Sequence, residues 1–83
     1  MKYEPLTDKQ FKELVSDIAT FKAAATQGDV TYLDELSYEA DCALFYLEYA
    51  RRKHAEPSYE LSMLEREYDK ARAVYLEAKA EAF

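Results

Sequence analysis

The sequence predicts an all-α fold of three long antiparallel helices that form a small, coiled-coil-like bundle. One glycine and two prolines among 83 residues leave little material for turns, and strong helix formers such as alanine, leucine, glutamate and lysine are abundant. Apolar residues recur in alternating steps of three and four along three segments, which is the period of closely packed helices. We therefore expect one domain over residues 1–83, with helices at about 7–27, 30–55 and 57–82.

The first predicted helix begins at Thr7. Thr7 is followed three residues later by Gln10, and this spacing is the pattern of a capping box. Gly28 is expected to end the helix, because glycine readily adopts the left-handed conformation that follows many helices. The apolar stripe of this helix is Phe11, Leu14, Ile18, Phe21 and Ala25, with Val15 beside it.

The second predicted helix begins at Asp29, since aspartate often caps helix N-termini. An alternative remains open, in which Ser37 caps a second start and residues 30–36 form a separate short turn. Pro57 is expected to end the helix, because the residue before a proline avoids the α conformation. The apolar stripe is Leu33, Leu36, Ala40, Ala43, Leu47 and Ala50, with Leu44 beside it.

The third predicted helix starts around Pro57, which suits the first position of a helix. Alanines at several positions of its stripe would let neighbouring backbones approach closely. The stripe is Leu61, Leu64, Tyr68, Ala71, Tyr75, Ala78 and Ala82.

The second helix also carries a second apolar stripe, which makes it apolar on two sides. The candidate interface residues on and beside this stripe are Tyr38, Cys42, Phe45, Tyr46 and Tyr49. In a compact three-helix bundle they would face water, and exposed aromatic residues often mark interaction sites. Three interpretations remain open. The stripe is internal core flanked by the first and third helices, the seam of a homodimer, or the site of a different protein partner.

Charge is unevenly distributed along the second helix. The candidate acidic face consists of Asp34, Glu35, Glu39, Asp41 and Glu48. The basic end that follows consists of Arg51, Arg52 and Lys53. This order suits the helix dipole, and it would also favour antiparallel pairing of two such helices in a symmetric dimer. The polar wedge expected to remain in water is Asp34, Ser37, Asp41, Glu48 and Arg52.

The sequence lacks the residue patterns on which catalytic and metal sites depend. The single histidine, His54, is preceded at the third position by Arg51, whereas a helical di-iron site needs glutamate there. Cys42 and His54 do not have the spacing of a zinc site, and Cys42 is expected to be a small buried hydrophobe. We therefore expect no catalytic residue, cofactor, metal or enzymatic activity.

The overall charge narrows the classes of partner. A formal net charge of −6 argues against direct binding to nucleic acid or to an anionic membrane, both of which require basic patches. The sequence has no apolar run long enough to span a bilayer, so we expect a cytoplasmic protein. The expected function is that of a non-enzymatic acidic factor that binds another protein. It would resemble phage or mobile-element inhibitors that occupy host nucleic-acid-binding machinery as DNA mimics. The alternative is a self-assembling helical module or a small subunit of a larger complex.

Overall fold

Three helices are packed in the order of the chain, with the second in the centre. The computed structural model describes residues 5–53 and 59–82. Its helices are α1 (Asp8–Thr26), α2 (Tyr32–Lys53) and α3 (Tyr59–Ala82). These residues contain no strand, and the predicted all-α bundle is confirmed. α1 and α3 each pack against α2, whereas within the described ranges the backbones of α1 and α3 do not approach one another closely.

Both ends of α1 follow the sequence prediction. The Gln10 backbone N–H donates to the Thr7 hydroxyl at 3.1 Å, and the Thr7 N–H donates to the Gln10 side-chain oxygen at 3.0 Å. These two bonds complete the capping box. Gly28 follows the helix with a φ of 73°. The N–H of Asp29 donates to the Ala24 carbonyl at 3.0 Å, as in a Schellman turn.

The start of α2 differs from the prediction. The Asp34 N–H donates to the Thr31 hydroxyl at 3.1 Å, and the Thr31 N–H donates to the Asp34 carboxylate at 2.9 Å. Thr31 therefore caps α2, and the predicted cap at Asp29 is wrong because Asp29 belongs to the turn that closes α1. The alternative start at Ser37 is also wrong, since α2 is continuous there. Pro57, which was predicted to end the second helix and to start the third, lies outside the described residues.

The contact between α2 and α3 holds the best-packed part of the core. Leu47, Ala50 and Leu61 are buried there. The half-buried residues that pack against them are Leu44, Leu64 and Tyr68. Leu36 and Ala40, from the same predicted stripe of α2, are buried as well. The stripe that was predicted from steps of three and four is therefore on the buried side of α2, and its C-terminal part, at Leu47 and Ala50, faces α3.

α1 is packed more sparsely than α3. Leu14 is its buried residue, and Phe11, Ile18 and Phe21 are half-buried. Ala25, which the sequence places on the inner stripe, is exposed. Hydrophobic stabilisation scales with the apolar area removed from water, so α1 is held less firmly than α3. None of the described helices is both long and apolar enough to cross a membrane.

Candidate protein-binding surfaces

The aromatic stripe of α2 is partly covered by α1. The Tyr38 ring stacks on Phe21 with centroids 4.3 Å apart, and the Phe45 ring stacks on Phe11 with centroids 5.6 Å apart. These contacts run in opposite directions along the two helices, so α1 is antiparallel to α2. Tyr38 and Phe45 are thus half-buried parts of a helix contact, as the internal-core interpretation supposes.

The other two aromatic rings of this region remain in water. Tyr46 and Tyr49 are 61% and 58% exposed. Both rest on Phe45: the Tyr46 ring meets it edge-on at 5.7 Å, and the Tyr49 ring stacks on it at 6.4 Å. Aromatic pairs at such separations are mutually attractive. Two exposed tyrosines are therefore held in place by a ring that is itself fixed by α1.

An apolar groove lies beside these rings, between α1 and α2. We call it the aromatic groove; its volume is about 320 Å³. Its lining residues are Val15, Ile18, Ala19, Lys22, Tyr38, Cys42, Phe45 and Tyr46. A side-chain hydrogen bond with Cys42, followed by desolvation, raises the pKa of the Tyr38 hydroxyl. Tyr38 is therefore neutral at physiological pH. Cys42 is a free thiol and is half-buried.

The opposite side of the α1–α2 contact forms a second, acidic concavity. We call it the acidic cleft; its volume is about 340 Å³. Four carboxylates line it, those of Asp17, Asp29, Asp34 and Asp41, and among the described residues no lysine or arginine does so. The cleft therefore combines side chains from α1, the following turn and α2 into one negatively charged site.

Asp41 occupies an electrostatically unfavourable position in this cleft. Desolvation raises the pKa of its carboxyl group, and the nearby charge of Asp17 raises it further. Both effects disfavour the charged form of the carboxyl group. Perturbed carboxylates in clefts are enriched at functional sites, so the acidic cleft is a stronger candidate than the exposed acids elsewhere on the chain.

The structure divides the predicted acidic face. Asp34 and Asp41 line the acidic cleft, whereas Glu35 and Glu39 are exposed outside it. Asp17 and Asp29 also line the cleft, although neither belongs to the predicted acidic face. Asp29 was predicted only as the N-cap of the second helix, and Asp17 lies on α1, outside the segment from which that face was predicted. Phe21 stacks on Tyr38 and Phe11 stacks on Phe45, and this antiparallel pairing of α1 with α2 brings Asp17 close to Asp41.

Glu48 contradicts both the predicted acidic face and the predicted polar wedge. Its side chain is 1% exposed. Its carboxylate accepts a hydrogen bond from the Leu6 backbone N–H at 3.2 Å and forms a buried ion pair with Arg51. Arg51 also pairs with Glu65 of α3 at 3.4 Å. Leu6, in the segment before α1, lies against this side of α2. Glu48, which a helical wheel places in water, is therefore buried and joins this segment to α2.

The predicted basic end is largely used within the chain. Arg51 belongs to the buried network of Glu48. Arg52 lies over the Phe11 ring, 4.5 Å from its centroid, and its guanidinium pairs with the Asp8 carboxylate at 3.2 Å. Lys53 is exposed. Two of the three basic residues thus hold α2 to its neighbours.

Neither a metal cluster nor a known family accounts for these surfaces. Within residues 5–53 and 59–82, no group of three or more histidine, cysteine, aspartate or glutamate side chains is arranged to hold a metal ion. Comparison of the chain with protein-family models, with curated proteins and with solved structures finds no match. The features of this chain that bear on function are therefore the shape and charge of the two concavities.

Proposed function

We propose that this chain is a non-enzymatic binding protein whose acidic cleft receives basic side chains of a partner protein. The observation that supports this most directly is the convergence of four aspartates on one open cleft whose described lining contains no basic residue. A formal net charge of −6 would also draw a cationic surface towards the chain and accelerate association.

The electrostatics of Asp41 give binding a physical advantage. Its charge is disfavoured in the free protein by desolvation and by Asp17. A lysine or arginine placed in the cleft would relieve that repulsion, because an opposite charge stabilises the ionised carboxyl group. Binding through such contacts is sensitive to salt, since ions screen partly exposed charges.

The partner class that best fits the cleft is a protein with a basic nucleic-acid-binding groove. Such grooves present lysines and arginines to phosphates, and carboxylates on a rigid helical surface can occupy the same positions. In this proposal the chain acts in the cytoplasm as an inhibitor of the DNA-mimic kind that phages and mobile elements employ against their hosts. The analogy is to a class of protein function, not to a fold.

The test compares the wild-type chain with a cleft variant as bait in lysate of the source organism or its host. The cleft variant carries Asp17→Asn, Asp29→Asn and Asp41→Asn, and it retains Asp34 because the Asp34 carboxylate accepts a hydrogen bond from the Thr31 N–H in the cap of α2. The control carries Glu67→Gln, Glu77→Gln and Glu81→Gln, which remove the same charge from exposed positions of α3.

The proposal predicts a protein that binds wild type and control, does not bind the cleft variant, and is displaced by duplex DNA. Equal capture by all three baits would contradict the role of the cleft. If capture depends on the cleft but duplex DNA does not displace the captured protein, the proposal of a basic partner stands and the DNA-mimic interpretation is overturned.

A further inference from the structure

One face of α2 is left largely uncovered by α1 and α3, although Cys42 and Tyr46 on this face also line the aromatic groove beside α1. At about 100° per residue, its residues fall within a sector of about 80°. They are Glu35, Glu39, Cys42, Tyr46, Tyr49 and Lys53, and we call this set the seam face. All are exposed except Cys42, which is half-buried. α3 packs on the side of Leu47, and α1 packs on the side of Tyr38 and Phe45, so the seam face lies between these two contacts and points outwards.

The seam face is complementary to itself when two copies run antiparallel. A two-fold axis at the level of Leu44 sets Glu35 of one copy opposite Lys53 of the other, because the two residues lie equally far from Leu44 along the chain. The same axis pairs Glu39 with Tyr49, and Cys42 with Tyr46. Every pair occurs twice, as a two-fold interface requires.

Each of these pairs is chemically favourable. Glu35 and Lys53 carry opposite charges, and the Tyr49 hydroxyl can donate to the Glu39 carboxylate. In the antiparallel pair, the Tyr46 ring of one copy would cover the half-buried Cys42 thiol of the other. A parallel arrangement would instead set Glu35 against Glu35 and Lys53 against Lys53, and like charges at close range are destabilising.

We propose that two copies of this chain associate antiparallel through the seam face, with the two-fold axis at the level of Leu44. The exposed rings need little ordering on association, because Tyr46 and Tyr49 already rest on Phe45. Preorganised side chains lower the entropic cost of binding. A seam of one helix face on each side is smaller than a standard interface, so we expect a dimer of about micromolar affinity.

This dimer is independent of the function proposed above. The acidic cleft opens on the other side of the α1–α2 contact, and the seam leaves it accessible in both copies. The assembly therefore carries two acidic clefts, and a partner with two basic sites would gain avidity from it. The dimer can fail while cleft binding persists, and the reverse also holds.

Charge exchange across the seam gives the sharpest test. Sedimentation equilibrium would compare wild type with Glu35→Lys, with Lys53→Glu, and with an equimolar mixture of the two variants. We expect each variant alone to dimerise at least about tenfold more weakly, because two attractive pairs become repulsive. In the mixture both pairs have opposite charges again, so dimer formation returns to near the wild-type level.

The matched controls are Glu13→Lys on α1 and Lys70→Glu on α3, two exposed positions away from the seam face. They make the same changes in net charge and should leave the dimer within about twofold of wild type, because screened distant charges contribute little. A wild type that remains monomeric at tens of micromolar would overturn the proposal. So would variants that weaken alone without recovering in the mixture.

A thiol cross-link tests the register separately. Tyr46→Cys places a new thiol opposite the second copy's Cys42, so mild oxidation with a glutathione redox buffer should yield a covalent dimer linked between positions 42 and 46. Tyr59→Cys makes the same substitution at an exposed position of α3 and should yield little dimer. Equal cross-linking of both variants, or links confined to position 46 with itself, would rule out the proposed register.

Discussion

The Glu48 carboxylate accepts a hydrogen bond from the backbone N–H of Leu6, 3.2 Å away, although the two residues are 42 positions apart in the chain. Arg51 neutralises the same carboxylate and reaches Glu65 on α3. This buried network joins the segment before α1 to α2 and α3. At this point polar side chains connect all three parts of the fold.

Removal of the Glu48 carboxylate should destabilise the protein strongly. Glu48→Ala leaves the buried Arg51 charge without its nearest counter-ion and the Leu6 N–H without its acceptor. Loss of one partner from a buried ion pair costs about 3–5 kcal/mol. Urea denaturation followed by circular dichroism would measure the change. Glu67→Ala, at an exposed position of α3, is the control and should alter the free energy of unfolding by less than about 0.5 kcal/mol.

The aromatic stripe should separate into structural and exposed members. Phe45→Ser removes the ring that stacks on Phe11, and we expect a loss of about 2–3 kcal/mol, somewhat below the cost for a fully buried phenylalanine. Tyr49→Ser removes a ring that is 58% exposed, and the unfolding free energy of the monomer should change by less than about 1 kcal/mol. Thermal denaturation at low micromolar concentration compares them. Equal destabilisation would contradict the packing described for α1.

The N-terminus of α2 provides a direct comparison of the observed cap with the one predicted from sequence. Thr31→Ala removes the hydroxyl that accepts from the Asp34 N–H and should cost about 1 kcal/mol. Asp29→Ala should have a smaller effect, because Asp29 lies in the turn after α1. Chemical denaturation of both variants would reveal the difference. A larger loss of stability for Asp29→Ala than for Thr31→Ala would indicate that Asp29 caps α2, as the sequence predicted.

Asp41 should make stability depend on pH with a defined sign. Its pKa is raised in the folded state, so the group favours folding when it is protonated, and that stabilisation is lost as pH rises through the folded-state pKa. Asp41→Asn should therefore be more stable than wild type at neutral pH. The gain should be less than about 1 kcal/mol, because water screens this half-exposed group.

The difference between Asp41→Asn and wild type should then shrink as pH falls, and it should vanish below the unfolded-state pKa of about 4. Denaturation midpoints across a pH series test this, with Asp8→Asn as the control at a site where the carboxylate pairs with Arg52. A variant that is less stable than wild type at neutral pH would mean that Asp41 has a cationic partner.

The helical bundle and both ends of α1 were accessible from sequence, whereas the side-chain contacts between helices were not. The capping box of Thr7 and the stop at Gly28 depend on neighbours three or four residues apart, so pattern alone identified them. The burial of Glu48 depends on its contact with Leu6, a residue 42 positions away in the sequence. A helical wheel contains no information about such a crossing.

The candidate sites divide in the same way. The sequence grouped Asp34 and Asp41 among the acids of one face of α2. It also placed Tyr46 and Tyr49 in one candidate interface with Tyr38, Cys42 and Phe45, without separating the exposed rings from the half-buried ones. It did not bring Asp17 into the cleft, because that residue joins the others through the stacking of Phe21 on Tyr38. Contacts between helices, rather than periodicity within them, determine which charged residues share a site.

Salt-dependent binding of a basic peptide tests the central claim, that the acidic cleft receives basic side chains, most directly. Fluorescence anisotropy with a labelled deca-arginine peptide would compare wild type, the cleft variant and the α3 control across a sodium chloride series. Three screened charge pairs of about 0.5 kcal/mol each predict about a tenfold weaker affinity for the cleft variant at low salt. The α3 control should remain near wild type, and the difference should disappear at high salt. Equal affinities of the cleft variant and the α3 control at every salt concentration would contradict the claim.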